Sequence, residues 1–328
     1  MHLTVVAPGL LWPLPALRDT VFDLRLPALE TLLGQGRRTP HAGLDEAAWW
    51  RQQFGLPAPL SAAALRRLAL QHAADDAYWL CADPVAFRID QQGVSLADPR
   101  QLSLNSAEAA SLHADLAPLL AEAGTLYLDG ERHWHLRMHE GSALPLGLPE
   151  FIDDIIGLPA RALLPEGDAG KPWRRWLNEV QMTLHAHPVN AAREAAGQAT
   201  VASLALWGGG RLPAVQASAF DRVQAADPVF AGLARHGGLD AETPQRPLRR
   251  FEAAIAPSQF RDALAWREAL EILERDVLAP ALADLKAGRL QRFTLLAFGD
   301  GGGLELELTR TGRWAFWRGP KPLTELTL

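Results

Sequence analysis

Residues 178–210 constrain the chain more than any other stretch, because they encode a helix, its termination and a buried strand in immediate succession. Trp173, Trp176, Leu177, Val180 and Leu184 recur at helical spacing and predict one packed face, while Asn178, Gln181 and His185 fall on a separate polar stripe. Pro188 has no N–H to continue the helix and pushes His187 toward extended geometry. The spacing therefore predicts a stop at His187, an extended break, and a short polar connection carrying Asn190 and Arg193. Ala202-Ser-Leu-Ala-Leu-Trp207 then has the length and apolar content of a core strand. Gly208, Gly209 and Gly210 predict a turn at its end, where backbone N–H groups can approach an anion closely. A tight turn beside a core tryptophan is the alternative reading of the same residues.

The chain has 328 residues, enough for two domains or one large α/β domain with an insertion. A net charge of -6 gives no general basis for holding nucleic acid, so no nucleic-acid partner is expected. The single cysteine, Cys81, excludes an internal disulfide and any multi-cysteine metal site. The apolar start lacks a basic region before it and is interrupted by Pro8, Pro13 and Pro15, which points to a cytoplasmic chain with no membrane partner.

Along the chain, residues 3–7 read as a first strand closed by Pro8-Gly9, and 26–36 as a helix with Pro27 near its first turn. Ser61 is placed to cap an alanine-rich helix that carries Arg66 and Arg67. Residues 78–90 predict a strand and then a turn at Asp83-Pro84. Asn105 and Glu108 open a helix over 104–123, and Asp129-Gly130 joins two strands of a hairpin. In that hairpin His133, His135, Arg137 and His139 alternate with Trp134, Leu136 and Met138. A polar face of this kind can hold an anion, hold a metal, or simply face solvent. Ser258 can cap a long helix over 259–286 kinked at Pro280, and a three-strand meander over 293–298, 304–309 and 313–317 follows.

His187-Pro188-Val189-Asn190, then Arg193, Gly197 and a strand ending Trp207-Gly-Gly-Gly210, resembles the corresponding segment of archaeal-type cofactor-independent phosphoglycerate mutases. It is more similar still to a small bacterial group of RpfE-type regulatory proteins. The resemblance implies a three-layer α/β core of alkaline-phosphatase type, formed by residues 1–80 and 201–328, with an α+β insertion over 81–200. It implies a catalytic aspartate at the end of the first strand, where this chain has Ala7 and Pro8, and a nucleophilic serine where it has Leu44. It implies metal-binding Asp and His pairs near Pro257, Gln259 and Arg261 and after the strand ending at Phe298, where only Asp300 remains. Leucine has no lone pair with which to attack phosphorus.

These substitutions predict a degenerate, non-catalytic phosphoglycerate-mutase-like protein with a regulatory or anion-binding role, using no metal and no cofactor. The alternatives are an active, metal-dependent phosphoglycerate mutase or phosphatase, and a structural protein-interaction module. The expected ligand is a small phosphorylated or carboxylate molecule, with a protein as the other expected partner. The expected ligand surface brings together His135, Arg137, His185, His187, Asn190 and Arg193 with the backbone of Gly208, Gly209 and Gly210.

Overall fold

The computed structural model describes residues 1–90, 93–216, 218–312 and 318–328. The chain forms two compact units, one from Met1–Gly55 with Val215–Leu328 and the other from Leu56–Ala214. In the first unit the elements are β1 (His2–Ala7), α1 (Leu14–Val21), α2 (Pro27–Gln35), β2 (Arg37–Ala42) and α3 (Glu46–Phe54). The second unit contributes α4 (Ala62–Ala69), β3 (Trp79–Val85), β4 (Phe87–Asp90), β5 (Gly93–Leu96), α5 (Ser106–Leu120), β6 (Gly124–Leu128), β7 (Trp134–Met138), α6 (Lys171–His185), α7 (Pro188–Ala195) and β8 (Ser203–Gly210). The chain then completes the first unit with β9 (Arg222–Gln224), α8 (Pro228–Gly237), β10 (Pro247–Arg250), α9 (Ile255–Gln259), α10 (Ala263–Leu273), α11 (Ala279–Ala287), β11 (Arg292–Gly299) and β12 (Gly302–Thr309).

The first unit is α/β, built on a mixed sheet of order β2-β12-β11-β1-β10-β9. Strands β11, β1, β10 and β9 run parallel, and β12 runs antiparallel to both of its neighbours, β11 and β2. Val5 and Ala7 of β1 face a core shared with Leu29 and Leu32 of α2, Trp266 and Leu270 of α10 and Leu285 of α11. Side chains on the other face alternate with these, since neighbours along a strand point to opposite sides. Val6 pairs with Arg250, and the Arg250 guanidinium lies over the Phe230 ring of α8 at 4.7 Å, so α8 covers that second face. Helices on both faces give the three-layer α/β arrangement that the sequence predicts.

The second unit is α+β, with an antiparallel sheet of order β6-β7-β3-β8. Helices α5 and α6 bury Leu112, Leu116, Trp173, Leu177 and Val180 against Leu80, Leu136, Leu204 and Leu206 of this sheet. The reciprocal bonds of Asn105 and Glu108 cap α5 as the sequence predicts.

Several expectations are corrected. The compact units divide at 55/56 and 214/215, whereas the sequence placed the divisions at 80/81 and 200/201. The reason is pairing: β3 and β8 are sheet neighbours, so everything between α4 and β8 belongs to one core. Asp83-Pro84 makes no turn but lies within β3, where Pro84 pairs with Leu204. The helix expected over 259–286 starts later, at Ala263, because Asp262 accepts from Ala265 N–H and caps α10 after α9 has ended, and it then runs without a break into α11. A π turn over Glu274–Leu278 joins α10 to α11. It sets the Glu274 carboxylate on the free N–H groups of Ala28 and Leu29 at the start of α2, at 2.6 and 3.0 Å, where an anion is favoured. The expected strand over 313–317 lies outside the described residues.

Candidate functional site

In an open α/β sheet the carboxyl ends of the parallel strands form the usual ligand edge. Here that edge is occupied by the protein's own side chains. After β1, Leu10, Leu11 and Trp12 turn inward and are buried. Leu11 N–H donates to Phe298 at 3.1 Å, Phe251 N–H donates to Val6 at 2.8 Å, and the Trp266 indole donates to the Gly9 carbonyl at 3.0 Å. After β10, the buried Arg250 guanidinium donates through Nε and Nη2 to both oxygens of Glu46, at 2.7 and 2.9 Å. Its Nη1 lies 3.3 Å from Glu252, which also accepts from the backbone of Ala226 and Asp227. After β11, Asp300 pairs with Arg261. Ala7, Arg250 with its carboxylates, and Asp300 with its arginine thus end three neighbouring strands. The bidentate Arg250–Glu46 pair, and the single contacts to Glu252 and Asp300, give these carboxylates a cationic partner from within the chain. Leu44, where the resemblance implies a nucleophile, lies in the turn before α3.

The second unit contains a different polar constellation, buried beneath α4. Arg66 donates from Nη1 and Nη2 to the two oxygens of Asp83 at 2.6 and 2.8 Å, and from Nη2 to the Trp134 carbonyl at 2.9 Å. Asp83 also accepts from Trp134 N–H at 3.0 Å and from the Trp207 indole at 2.9 Å. His135 has Nε2 at 2.9 Å from Arg66 Nε and Nδ1 at 2.7 Å from Asp129. Because Arg66 can only donate, Nε2 must accept, and the proton sits on Nδ1 facing Asp129. Arg67 also binds Asp129, and its guanidinium lies over the Trp79 and Tyr127 rings, 4.0 and 4.8 Å from their centroids.

Burial, and then the charge of Arg66, push His135 down to about 3. Burial and Arg66 likewise push His133 down to about 4. Burial works to raise the carboxyls of Asp83 and Asp129. For Asp83 the Arg66 charge and hydrogen bonds win, and for Asp129 the His135 hydrogen bond and charge win, so both are held below the ordinary carboxylate range. Fully satisfied networks of this type fix one packing arrangement, and here they join α4, β3, β7 and β8.

The residues expected to form one ligand surface are divided among separate networks. His135 belongs to the buried cluster just described, so the hairpin face on which it lies is covered rather than open. Arg137 donates through Nε and Nη2 to Asp75 at 3.0 and 2.6 Å. His187 caps α7, with Nδ1 accepting from Val189 N–H at 3.1 Å and Nε2 lying 3.1 Å from Asp115. Asn190 donates to the carbonyls of Leu184 and Val201, both at 2.7 Å, and accepts from Val201 N–H at 2.8 Å. It ties the end of α6 to the approach to β8. Arg193 holds the Ala199 carbonyl at 2.7 Å and Glu108 at 3.0 Å. His185 is exposed at the end of α6. The expected convergence therefore fails for a definite reason: His187, Asn190 and Arg193 spend their polar groups closing the α6–α7–β8 connection.

The three glycines are also reassigned. They lie inside β8 rather than in a turn beyond it. Gly208 has φ +63 at a register shift in the β3–β8 pairing. At Gly210 an added Cβ would come within 2.6 Å of Ser61 Cβ and 2.9 Å of its Cα, so the residue lets the start of α4 approach the sheet.

One open groove in the second unit has a volume of about 460 Å³ and is lined by Asp75, Asp76, Tyr78, Arg137, Ser142 and Arg211, among others. Arg137 is the one expected ligand residue on it. Sequence reading missed Arg66, Arg67 and Asp129 as a cluster, although two arginines in an alanine-leucine helix are a signal. Nothing local marked Asp75, Asp76 and Arg211, which the fold brings together from distant parts of the chain.

Among the described residues no group of three or more His, Cys, Asp or Glu is arranged to hold a metal ion, and no helix is long and apolar enough to cross a membrane. No family model matches the chain, and no curated protein matches it in sequence. Among solved structures it is similar to the cofactor-independent phosphoglycerate mutase from Thermoplasma acidophilum DSM 1728, with 15% identity, 99% of this chain and 94% of that chain covered, and a TM-score of 0.42. It is also similar to the PH0037 protein from Pyrococcus horikoshii, with 13% identity, 94% and 87% coverage and a TM-score of 0.47.

Proposed function

We propose that this chain is a non-catalytic, phosphoglycerate-mutase-like protein that acts by binding, in a regulatory role of the RpfE type. The observation that carries the reading is the closed carboxyl edge of the first sheet. A two-metal phosphoryl transfer needs free carboxylate and imidazole ligands and an exposed nucleophile at fixed positions. At that edge Ala7 ends β1 with no polar side chain, Glu46 and Glu252 are bound to Arg250, and Asp300 is bound to Arg261. Each arginine supplies internally the positive charge that a metal would supply to those carboxylates. The sequence motifs shared with the phosphomutases are consistent with common ancestry without common chemistry, because His187, Asn190 and Arg193 serve a structural connection.

The test is a coupled assay for interconversion of 2- and 3-phosphoglycerate by the purified chain with Mn²⁺, Mg²⁺ or Zn²⁺ supplied. No turnover above a blank is expected with any metal. Metal-dependent turnover that a chelator abolishes would overturn the reading.

A further inference from the structure

The groove in the second unit is not an anion site in its charge balance. Arg137 and Arg211 contribute two guanidinium groups, and Asp75, Asp76 and Glu140 contribute three carboxylates to the same lining. A purely anionic ligand would meet net repulsion there. The unspent hydrogen-bonding groups are of both kinds. Arg137 uses Nε and Nη2 on Asp75, and its Nη1 makes no hydrogen bond among the described residues. Arg211 uses Nη1 on the Asp76 carbonyl, leaving Nε and Nη2. The Asp76 carboxylate is 98% exposed, and Tyr78 and Ser142 belong to the same lining.

The spacing of these charges narrows the ligand class. Arg211 Nη1 and Asp76 Oδ1 form a loose, exposed ion pair 4.0 Å apart, too long for a hydrogen bond. A ligand that satisfies both at once must itself carry an anion and a cation on neighbouring atoms. An α-amino acid has this arrangement, with carboxylate and ammonium on one carbon. The volume, about 460 Å³, lies within the range of small-molecule pockets. We infer that the groove lined by Asp76, Tyr78, Arg137, Ser142 and Arg211 binds a small zwitterion of the α-amino-acid class, its carboxylate on Arg211 and Arg137 and its ammonium on Asp76. This gives the binding role proposed above a ligand class, and it rests on that reading only for its biological sense.

The experiment screens each common L-amino acid against the full-length protein by thermal shift at low salt, followed by calorimetric titration of the best one. That amino acid is then compared with its counterpart lacking the ammonium group, its counterpart lacking the carboxylate, and inorganic phosphate. The expected result is binding at roughly millimolar affinity or better, weakened by about tenfold or more when either charge is missing. Arg211→Gln and Asp76→Asn should each weaken it similarly. Both side chains are largely exposed, so these variants should retain the native melting temperature. Binding of phosphate or of the ammonium-free counterpart as tightly as the amino acid would overturn the inference in favour of a plain anion site. Equal binding of the carboxylate-free counterpart, unchanged affinity in both variants, or no amino acid binding at all would overturn it as well. The phosphoglycerate assay reads the first unit's chemistry, so its outcome is independent of this one.

Discussion

Lowering the pH from about 7.5 to about 5 should destabilise the second unit while its carboxylates are still ionised, with His135 and His133 as the cause. The ring is wholly buried between the Arg66 guanidinium on α4 and the Asp129 carboxylate, with Asp83, Arg67 and His133 close by in the same network. Burial, and then the Arg66 charge facing Nε2, lower the folded value to about 3 from the ordinary 6.5. The folded state then binds fewer protons than the unfolded state between those values. Stability is complete above about 6.5 and is lost as pH falls toward 3. At about pH 5 the unfolded ring sits roughly 1.5 units below its midpoint, worth about 2 kcal/mol. His133, lowered to about 4, adds a contribution of the same sign. The combined loss is on the order of 3–4 kcal/mol, a large fraction of an ordinary domain's stability. Two measurements check this: urea unfolding followed by tryptophan fluorescence across the pH range, and NMR titration of the histidine ring protons. His135→Gln should unfold more readily throughout but with a clearly shallower pH slope. A wild-type slope unchanged in His135→Gln, or a His135 ring that titrates above about pH 5 in the folded protein, would refute the reasoning.

Other substitutions probe the packing directly. Gly210→Ala should cost about 1–3 kcal/mol, because its methyl would press on the Ser61 backbone, and an unchanged melting temperature would contradict the close approach of α4. Asn190→Ala should cost about 1–3 kcal/mol by stranding the Val201 N–H and two carbonyls, and hydrogen exchange at Val201 should rise selectively. Arg250→Ala leaves the Glu46 and Glu252 carboxylates without their buried cation and should destabilise the first unit by roughly 3–5 kcal/mol, read by denaturant unfolding.

What the sequence made legible follows the range over which each interaction acts. The capping box at Asn105, the hairpin at Asp129-Gly130, the apolar stripe of α6 and the alternation of Leu304, Leu306 and Leu308 are set by near neighbours, and each is found in the fold. The α7 helix was missed although its signal was also local: His187 as a cap followed by Pro188 in the first turn starts a helix as naturally as it ends one. The stop is real, since α6 ends at His185, but reading the proline only as a stop turned Asn190 and Arg193 into free groups, and the anion surface was built on that omission.

The polar residues divide on a different principle, which composition and periodicity cannot supply. Arg66 follows Leu65 in an alanine-rich helix and looks like any solvated arginine, yet it is buried because Asp83, 17 residues on, meets it across the sheet. Arg250 and Glu46 are separated by 204 residues, and their pairing depends on β10 lying beside β1 with α3 above. A charged residue is recognisable as a site only when its partner is known, since the same guanidinium can be a ligand group, a clasp or a replacement for a metal. In this chain the long-range partners convert most of the conspicuous histidines and arginines into structural joints. On the Arg137–Arg211 groove, where no local motif drew attention, guanidinium and carboxylate groups stand side by side in exposed, looser pairs.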